Sequence, residues 1–167
     1  MLKKSLMALV VSSLSFASQA NWIAGLNYSN ISEEDINIGA AIASVGYEIE
    51  TASDFTLVPE FRLGTGITDD SINFIGTEID VELKRFIALS VRGQYDLDQN
   101  IYIYAMPSYA NLEIEASALG QSEKADEWEF GLGAGLGYQF SETSLVEASY
   151  EQYDGTDLFS VGLKLRF

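Results

Sequence analysis

The chain has 167 residues, a formal net charge of −16, and neither histidine nor cysteine. Such an acidic surface makes nucleic acids and anionic headgroups poor partners in general. The missing residue types exclude thiol nucleophiles, histidine-assisted serine hydrolysis and histidine-ligated zinc, so we predict no enzyme, no cofactor and no nucleic-acid ligand.

Residues 1–20 have the pattern of a cleavable secretory signal. Paired lysines precede a short apolar stretch, and small residues stand one and three positions before Asn21, which is the arrangement that signal peptidase reads. The apolar stretch is shorter than the roughly 20 residues that a membrane-spanning helix needs. We therefore predict a signal peptide over residues 1–20 and one exported domain over residues 21–167.

The rest of the chain consists of short segments of alternating polarity, separated by polar turns and without a helical period. The alternation predicts eight strands, at residues 22–30, 36–49, 55–65, 77–95, 101–113, 127–140, 145–153 and 158–167. The tight connectors are residues 50–54, 96–100 and 141–144, and the longer polar connectors are residues 30–35, 66–76, 114–126 and 154–157. Short turns at one end and longer loops at the other, with both termini on the short-turn side, are typical of transmembrane barrels. The predicted fold is all-β, an eight-stranded antiparallel up-and-down transmembrane β-barrel.

Pro59 and Pro107 lie inside predicted strands. Each removes a hydrogen-bond donor from the sheet, and lipid supplies no substitute partner, so we predict a bulge at each position. The facing of the fifth strand stays open, because the residues I-Y-I-Y from Ile101 are apolar on both faces.

The segment from Trp128 to Phe140 indicates which face of the barrel meets lipid. Its sequence, W-E-F-G-L-G-A-G-L-G-Y-Q-F, places four glycines on one face and large apolar side chains on the other. An eight-stranded barrel has an interior only just wide enough for side chains, so a soluble, lipocalin-like barrel with its apolar face inward would be overcrowded and is the distant alternative. A two-sheet sandwich would leave exposed strand edges. We therefore predict that the glycines line the lumen and that the aromatic residues near both ends of the segment lie at the membrane interfaces.

Strand alternation places most charged residues of the predicted strands on the lumen face. A charge on the lipid face at mid-depth costs about 2 to 4 kcal/mol, so the inward arrangement is strongly preferred. The predicted lumen charge network consists of Glu60, Arg62, Glu78, Glu82, Lys84, Arg92, Glu147, Glu151, Lys164 and Arg166. Such a network can form an ion path or a structural plug, and the narrow lumen favours the plug. Arg85 breaks the alternation, which predicts a local bulge or a position near the interface.

Antiparallel hairpins indicate which of these charges pair. Glu147 is expected close to Lys164 or Arg166, one hairpin away. The same reasoning pairs Arg62, across the loop near Asp69, with Glu78, Asp80 or Glu82.

The last strand, L-F-S-V-G-L-K-L-R-F, alternates apolar and polar residues and ends on Phe167. It resembles the C-terminal strand of Gram-negative outer-membrane barrels. Together with F-G-L-G-A-G-L-G-Y-Q-F, the turn S-E-T-S, the strand L-V-E-A-S-Y-E-Q-Y and the loop D-G-T-D, it resembles the closing hairpins of the small barrels related to the OmpA membrane domain and the OmpX group. The resemblance implies an outer-membrane location and insertion by the barrel assembly machinery. It also implies an assembly signal, formed by Val161, Leu163, Leu165 and Phe167.

Acidic residues concentrate in the predicted loops. They are Glu33, Glu34, Asp35, Asp69, Asp70, Glu123, Asp126, Glu127, Asp154 and Asp157. Oxygen-rich clusters bind divalent cations, which also bridge anionic lipopolysaccharide. Solvation of the loops accounts for the same residues, and no complete calcium-loop spacing is present, so divalent cations stay an open alternative.

These patterns predict an integral outer-membrane barrel with a structural or surface-interaction role. It would have acidic external loops, a charged and plugged lumen, and outer-membrane lipid and lipopolysaccharide as its surroundings. A narrow pore for ions or small solutes is the alternative.

Overall fold

The computed structural model of the protein describes residues 21–33, 36–52, 54–74, 77–118 and 121–167. Within these ranges the strands are β1 (Trp22–Glu33), β2 (Ile36–Tyr47), β3 (Ile49–Ala52), β4 (Phe55–Thr68), β5 (Asp70–Phe74), β6 (Thr77–Asp96), β7 (Ile101–Ala118), β8 (Gln121–Gln139), β9 (Ser144–Gln152) and β10 (Asp157–Arg166). The predicted signal peptide and the acidic residues Glu34 and Asp35 lie outside the described residues. In the same ranges, no helix is long and apolar enough to cross a membrane.

The described strands close into an eight-stranded antiparallel barrel. β2 and β3 both pair with β4 and form one barrel strand, and β4 and β5 likewise form one strand along β6. Each barrel strand pairs with its neighbours in sequence, and β1 pairs with β10 to close the barrel. Backbone hydrogen bonds of 2.9 and 3.2 Å join Trp22 and Phe167 at the end that holds the termini and short turns. The predicted fold class is confirmed, and we call this end the turn end and the opposite one the loop end.

Side chains alternate between the lumen and the outside. On β8, Gly131 and Gly133 are buried, whereas Phe130 and Leu132 are 67% and 61% exposed. Large apolar side chains point outward all around the barrel, among them Leu26, Leu63, Leu89, Ile103, Leu136, Val161 and Leu163. This outer surface contradicts the soluble, lipocalin-like alternative, since a soluble barrel turns its apolar face inward.

Aromatic side chains lie toward both ends of the outer surface. Trp22 and Tyr47 meet edge to face at the turn end, with ring centroids 5.3 Å apart. Tyr109 and Trp128 stack at 5.0 Å toward the loop end. Such aromatic girdles flank the apolar band of roughly 25 Å in outer-membrane barrels.

Beyond Trp128 several strands continue past the apolar band. The connectors predicted at 66–76 and 114–126 are largely wrong, because strand structure runs through Thr68, resumes at Asp70, and extends through Ala118 and from Gln121. β5, residues 77–85 of β6, residues 112–118 of β7 and residues 121–127 of β8 form what we call the loop-end sheet. Cross-strand ion pairs on one face and apolar contacts on the other stabilise this sheet. Sequence polarity alone does not predict such strands.

The bulges predicted at the two prolines are wrong. Pro59 pairs with Val91 in an unbroken β4–β6 register, and Pro107 pairs with Leu132 in an unbroken β7–β8 register. Each proline is tolerated because the strand that carries it has an interrupted ladder with its second neighbour. The β6–β7 ladder omits the positions around Pro107. On the other neighbour of β4, β2 ends at Tyr47, beside Pro59.

The bulge predicted near Arg85 is confirmed, because the β6–β7 register shifts between Leu83 and Arg85. On the turn-end side of the bulge, even-numbered residues such as Phe86 and Arg92 are buried. On its loop-end side, the odd-numbered Val81 and Leu83 are buried. One extra residue therefore reverses the facing of β6 at the rim of the barrel.

Two apolar clusters occupy the ends of the interior. The turn-end cluster contains Ile23, Val58, Tyr102, Tyr104, Met106 and Leu145. The loop-end cluster contains Ile31, Ile38, Ala40, Ile42, Val81, Leu83, Phe86, Ala88, Ala110, Tyr153 and Leu158. β7 faces the lumen with Tyr102 and Tyr104, which resolves the facing that the sequence left open.

Candidate functional site

Between the two apolar clusters lies a buried network of charges. Arg62 on β4 donates two hydrogen bonds to Glu151 on β9, from Nη1 to Oε1 at 2.6 Å and from Nη2 to Oε2 at 2.9 Å. The Tyr153 hydroxyl donates to the same Glu151 Oε2 at 2.9 Å. Three barrel strands separate β4 from β9 in either direction, so this pair spans the full width of the lumen.

A second set of pairs lies nearer the turn end and centres on Glu147. Its Oε1 accepts hydrogen bonds of 2.6 Å from both Arg92 Nη1 and Tyr102 Oη. Its Oε2 lies 3.3 Å from Lys164 Nζ, the pairing predicted from the hairpin. Lys164 also donates to Glu60, which lies 4.0 Å from Arg92 Nε. Glu147 and Glu60 together hold two cations that come from different strands.

The charges of this central network balance. Within the described residues it contains the cations Arg62, Arg92 and Lys164 and the anions Glu60, Glu147 and Glu151, all 5% exposed or less. A buried charge costs several kcal/mol unless it is paired and hydrogen-bonded, and here each has an oppositely charged partner. Among the described residues, the excess negative charge is therefore carried by the two ends of the barrel.

The glycines of β8 make room for the large side chains of this network. A Cβ atom at Gly135 would overlap the ring of Tyr104, and one at Gly137 would overlap the ring of Tyr102. In the same way, Cβ atoms at Gly131 and Gly133 would overlap side chains of β9 and the turn after it, Tyr153 and Glu151. The glycines that alternate along β8 are thus the positions at which large side chains lie against its backbone inside the lumen.

Aromatic rings also contact the arginines. The Arg92 guanidinium lies 4.9 Å from the Tyr104 ring centroid, and that of Arg62 lies 5.5 Å from the Phe86 centroid. Cation–π contacts of this kind stabilise buried guanidinium groups, so both arginines are held by carboxylates and rings together.

Little open space remains at the centre of the lumen. The cavity beside the network, lined among others by Arg62, Arg92 and Lys164, has a volume of about 20 Å³, close to that of a single water molecule. A larger cavity of about 300 Å³ opens at the turn end, beside Glu48, Gln139 and Arg166.

The remaining predicted network residues lie elsewhere. Arg166 donates to Glu48 at 2.6 and 2.8 Å at the turn end. Glu82 and Lys84 pair with each other at 2.7 Å at the loop end, where both are partly exposed, because the bulge in β6 turns them away from the lumen. Glu78 belongs to β6, but its side chain is outside the described part of the chain.

The pairing predicted for Arg62 is wrong. The β4–β6 register places Arg62 opposite Ala88, several residues from Glu82, so its partner comes instead from across the barrel. Sequence reasoning also missed Glu48, Tyr102, Tyr104 and Tyr153. Tyr153 could have been found, because it continues the odd-numbered lumen face of Glu147 and Glu151.

The loop-end sheet carries ion pairs on its outer face. Arg85 Nη2 lies 3.0 Å from Glu113, and Lys124 Nζ lies 3.5 Å from Glu113 and 3.4 Å from Glu115. A hydrogen bond to Glu82, reinforced by the charges of Glu115, Glu82 and Asp69, raises the pKa of Lys84. These contacts fix the extended strands but involve few buried groups.

The acidic loop residues that the structure describes do not converge on a metal site. Over the ranges that the structure describes, no group of three or more acidic side chains is arranged to hold a metal ion. Asp70 instead accepts a hydrogen bond from the Asn37 backbone at 2.7 Å, and Asp157 accepts one from the Tyr150 hydroxyl at 2.7 Å.

Comparison with known proteins gives one family match and several structural ones. Residues 5–167 match the model of the outer membrane protein beta-barrel domain. No curated protein sequence matches the chain.

Several solved barrels have the same fold. Ail, the attachment invasion locus protein of Yersinia pestis, is 18% identical with a TM-score of 0.61, over 89% of this chain and 97% of that one; it has also been solved with the heparin analogue sucrose octasulfate. The N-terminal β-barrel domain of Pseudomonas aeruginosa OprF is 15% identical with a TM-score of 0.61, over 89% and 100% of the two chains. Neisserial surface protein A is 12% identical with a TM-score of 0.58, over 87% and 96%. At these identities the likeness concerns the fold alone.

Proposed function

The chain belongs to the outer membrane protein beta-barrel domain family, and from that premise we propose that it is a closed outer-membrane barrel that presents its loop-end sheet at the cell surface. Its role is structural and interactive rather than catalytic, in keeping with a sequence that lacks histidine and cysteine. In the same proposal, the chain is exported in a Gram-negative cell by the signal peptide over residues 1–20. The assembly machinery then inserts it by recognising Val161, Leu163, Leu165 and Phe167.

The observation that carries the closed lumen is the Arg62–Glu151 pair. It crosses the whole interior with two hydrogen bonds, and the space beside it is about 20 Å³. A hydrated ion needs a continuous wide path, whereas apolar clusters lie on both sides of this network. The lumen is thus a packed core that consists of two apolar clusters and the buried ion pairs between them.

The surface role is supported by the loop-end sheet. It extends beyond the stacked pair Tyr109 and Trp128, and residues 122–127 of β8 are exposed. Strands joined by cross-strand pairs give an extended contact surface. Lipopolysaccharide would surround its base, with divalent cations bridging acidic groups such as Asp126 to anionic lipid.

Two measurements test this proposal. Purified barrel in planar bilayers should give no single-channel conductance over a range of voltages; steady conducting events would instead establish the narrow pore. Because the chain has no cysteine, single cysteines report location cleanly. On intact cells a membrane-impermeant maleimide should label Ser122→Cys at the loop end and leave Gln99→Cys at the turn end unlabelled; the reverse result would contradict the orientation.

A further inference from the structure

Among the described residues, both outer strands of the loop-end sheet, β5 and β8, have an edge without a ladder partner, and the longer of these edges belongs to β8. Within the described residues, β8 pairs with β7 from Gln121 to Tyr138, but its pairing with β9 begins only at Leu132. Residues 121–127, beyond Trp128, therefore expose backbone N–H and C=O groups along one side. We call these seven residues the free edge; at about 3.3 Å per residue they span roughly 23 Å.

A cavity opens beside the free edge, on the inner face of the sheet. It has a volume of about 290 Å³, and Leu112, Ile114 and Ala125 contribute its apolar lining. Its acidic lining residues are Glu33, Asp126, Glu127 and Glu129. An apolar floor beneath carboxylates suits a long side chain with a methylene stem and a cationic end.

The charge of the free edge agrees with that of the cavity. Glu123, Asp126 and Glu127 are exposed. Lys124, on the outer face, is held by Glu113 and Glu115 of β7. The inner side of the edge therefore presents negative charge to anything that approaches it.

We propose that the free edge binds an extended, lysine- or arginine-rich segment of another protein, which adds to the loop-end sheet as a further strand. Backbone hydrogen bonds to residues 121–127 hold the segment. Every second side chain points to the inner face, where its stem packs on Leu112 and Ile114 and its charge meets Glu127 and Glu33. This is a known mode of peptide recognition by exposed sheet edges. The inference rests on the proposed function, because the loop end must face outward to meet such a partner.

A second copy of the chain does not fit the same edge. Antiparallel pairing of two free edges over their full length would place Lys124 against Lys124, and a register shifted by two residues would place Glu123 against Glu127. Like charges directly opposite each other destabilise a strand pair, and charged edges protect sheets from self-association. The charges of the free edge therefore oppose pairing with a second copy of the chain and favour a basic segment.

Purified barrel in nanodiscs of uncharged phosphatidylcholine allows a direct test. The probe is a fluorescent seven-residue peptide of alternating lysine and valine. Two control peptides carry either glutamate in place of lysine or the same lysines with an N-methylated backbone, which cannot donate strand hydrogen bonds. Fluorescence anisotropy gives the affinity, and amide hydrogen exchange reports protection of residues 121–127.

The lysine peptide should bind, slow exchange in the free edge, and lose affinity with added salt, while neither control peptide binds. Glu123→Gln with Glu127→Gln should weaken binding about tenfold. Glu50→Gln with Glu142→Gln, which removes the same charge from exposed turn-end positions, should leave it unchanged.

Binding that persists with the N-methylated peptide, or that leaves residues 121–127 unprotected, would overturn strand addition. Absence of binding, or protection of the free edge that depends on barrel concentration alone, would also overturn the inference. In that case, the absence of conductance in planar bilayers and the surface labelling of Ser122→Cys would still support the proposed function. Failure of the strand-addition inference is therefore distinguishable from failure of the proposed function.

Discussion

Arg62 and Glu151 are 89 positions apart in the sequence and join opposite walls of the barrel through two hydrogen bonds. Neither belongs to a strand adjacent to the other, so the contact exists only when the barrel is closed. The pair therefore fixes the width of the lumen as well as neutralising two buried charges.

Removing Glu147 should strongly destabilise the barrel. Among the described residues, Glu147→Ala leaves Glu60 as the one anionic partner shared by the buried Arg92 and Lys164. Breaking a buried pair costs about 3 to 5 kcal/mol. Denaturant unfolding in detergent micelles measures the loss. Lys124→Ala, at an exposed pair, should cost less than about 1 kcal/mol.

Exchanging the charges of Glu147 and Lys164 should recover part of that stability. In Glu147→Lys with Lys164→Glu the direct pair is restored, although the new lysine faces Arg92. A loss for Glu147→Ala as small as that for Lys124→Ala would show that the network is solvated.

Gly137→Val should destabilise the barrel by overlap with the Tyr102 ring. Overpacking of this kind costs about 1 to 3 kcal/mol, and the second substitution Tyr102→Ala should recover part of it. Heat-modifiable migration on gels follows the folded fraction. Ala134→Val, on the exposed face of the same strand, is the matched control and should change stability by no more than about 0.5 kcal/mol; equal effects at both sites would contradict the lumen packing.

Leu163→Arg and Leu132→Arg should each impair insertion. Both leucines are more than half exposed on the outer face, where a charge in the apolar band costs about 2 to 4 kcal/mol. Refolding yield into liposomes is the measurement. Leu97→Arg adds the same charge at an exposed position in a turn-end connection and should be tolerated; normal insertion of the two strand variants would mean that these residues do not face lipid.

Phe167→Ala separates assembly in the cell from stability. The substitution keeps the two backbone hydrogen bonds to Trp22 but removes the aromatic ring. If the ring is an assembly signal, the amount of barrel in the outer membrane should fall in cells, while refolding and unfolding of the purified variant stay close to those of the original. Unchanged outer-membrane levels would remove the assembly role.

Local pattern predicted the fold because a barrel strand shows its two faces directly in the sequence. The alternation around Gly131 and Leu163 was sufficient to place lumen and lipid, and the hairpin linking β9 and β10 brought Glu147 to Lys164. These features depend on neighbours in sequence or in the sheet.

The contacts across the lumen could not be predicted in the same way. Which residue meets Arg62 depends on the tilt and register of all eight strands. One extra residue between Leu83 and Arg85 turns Glu82 and Lys84 away from the lumen. Polarity also predicts loops where the loop-end strands lie, because polar sequences form strands when residues such as Glu113 and Lys124 pair across them.

The close contact of Gly135 and Gly137 with the rings of Tyr104 and Tyr102 constrains how this barrel can diverge. A larger residue can replace either glycine only when the facing ring becomes smaller, so each pair should change together among related sequences. An alignment of relatives should then show covariation between 102 and 137 and between 104 and 135, while the neighbouring lipid-facing positions, such as Ala134 and Leu136, exchange freely among apolar residues.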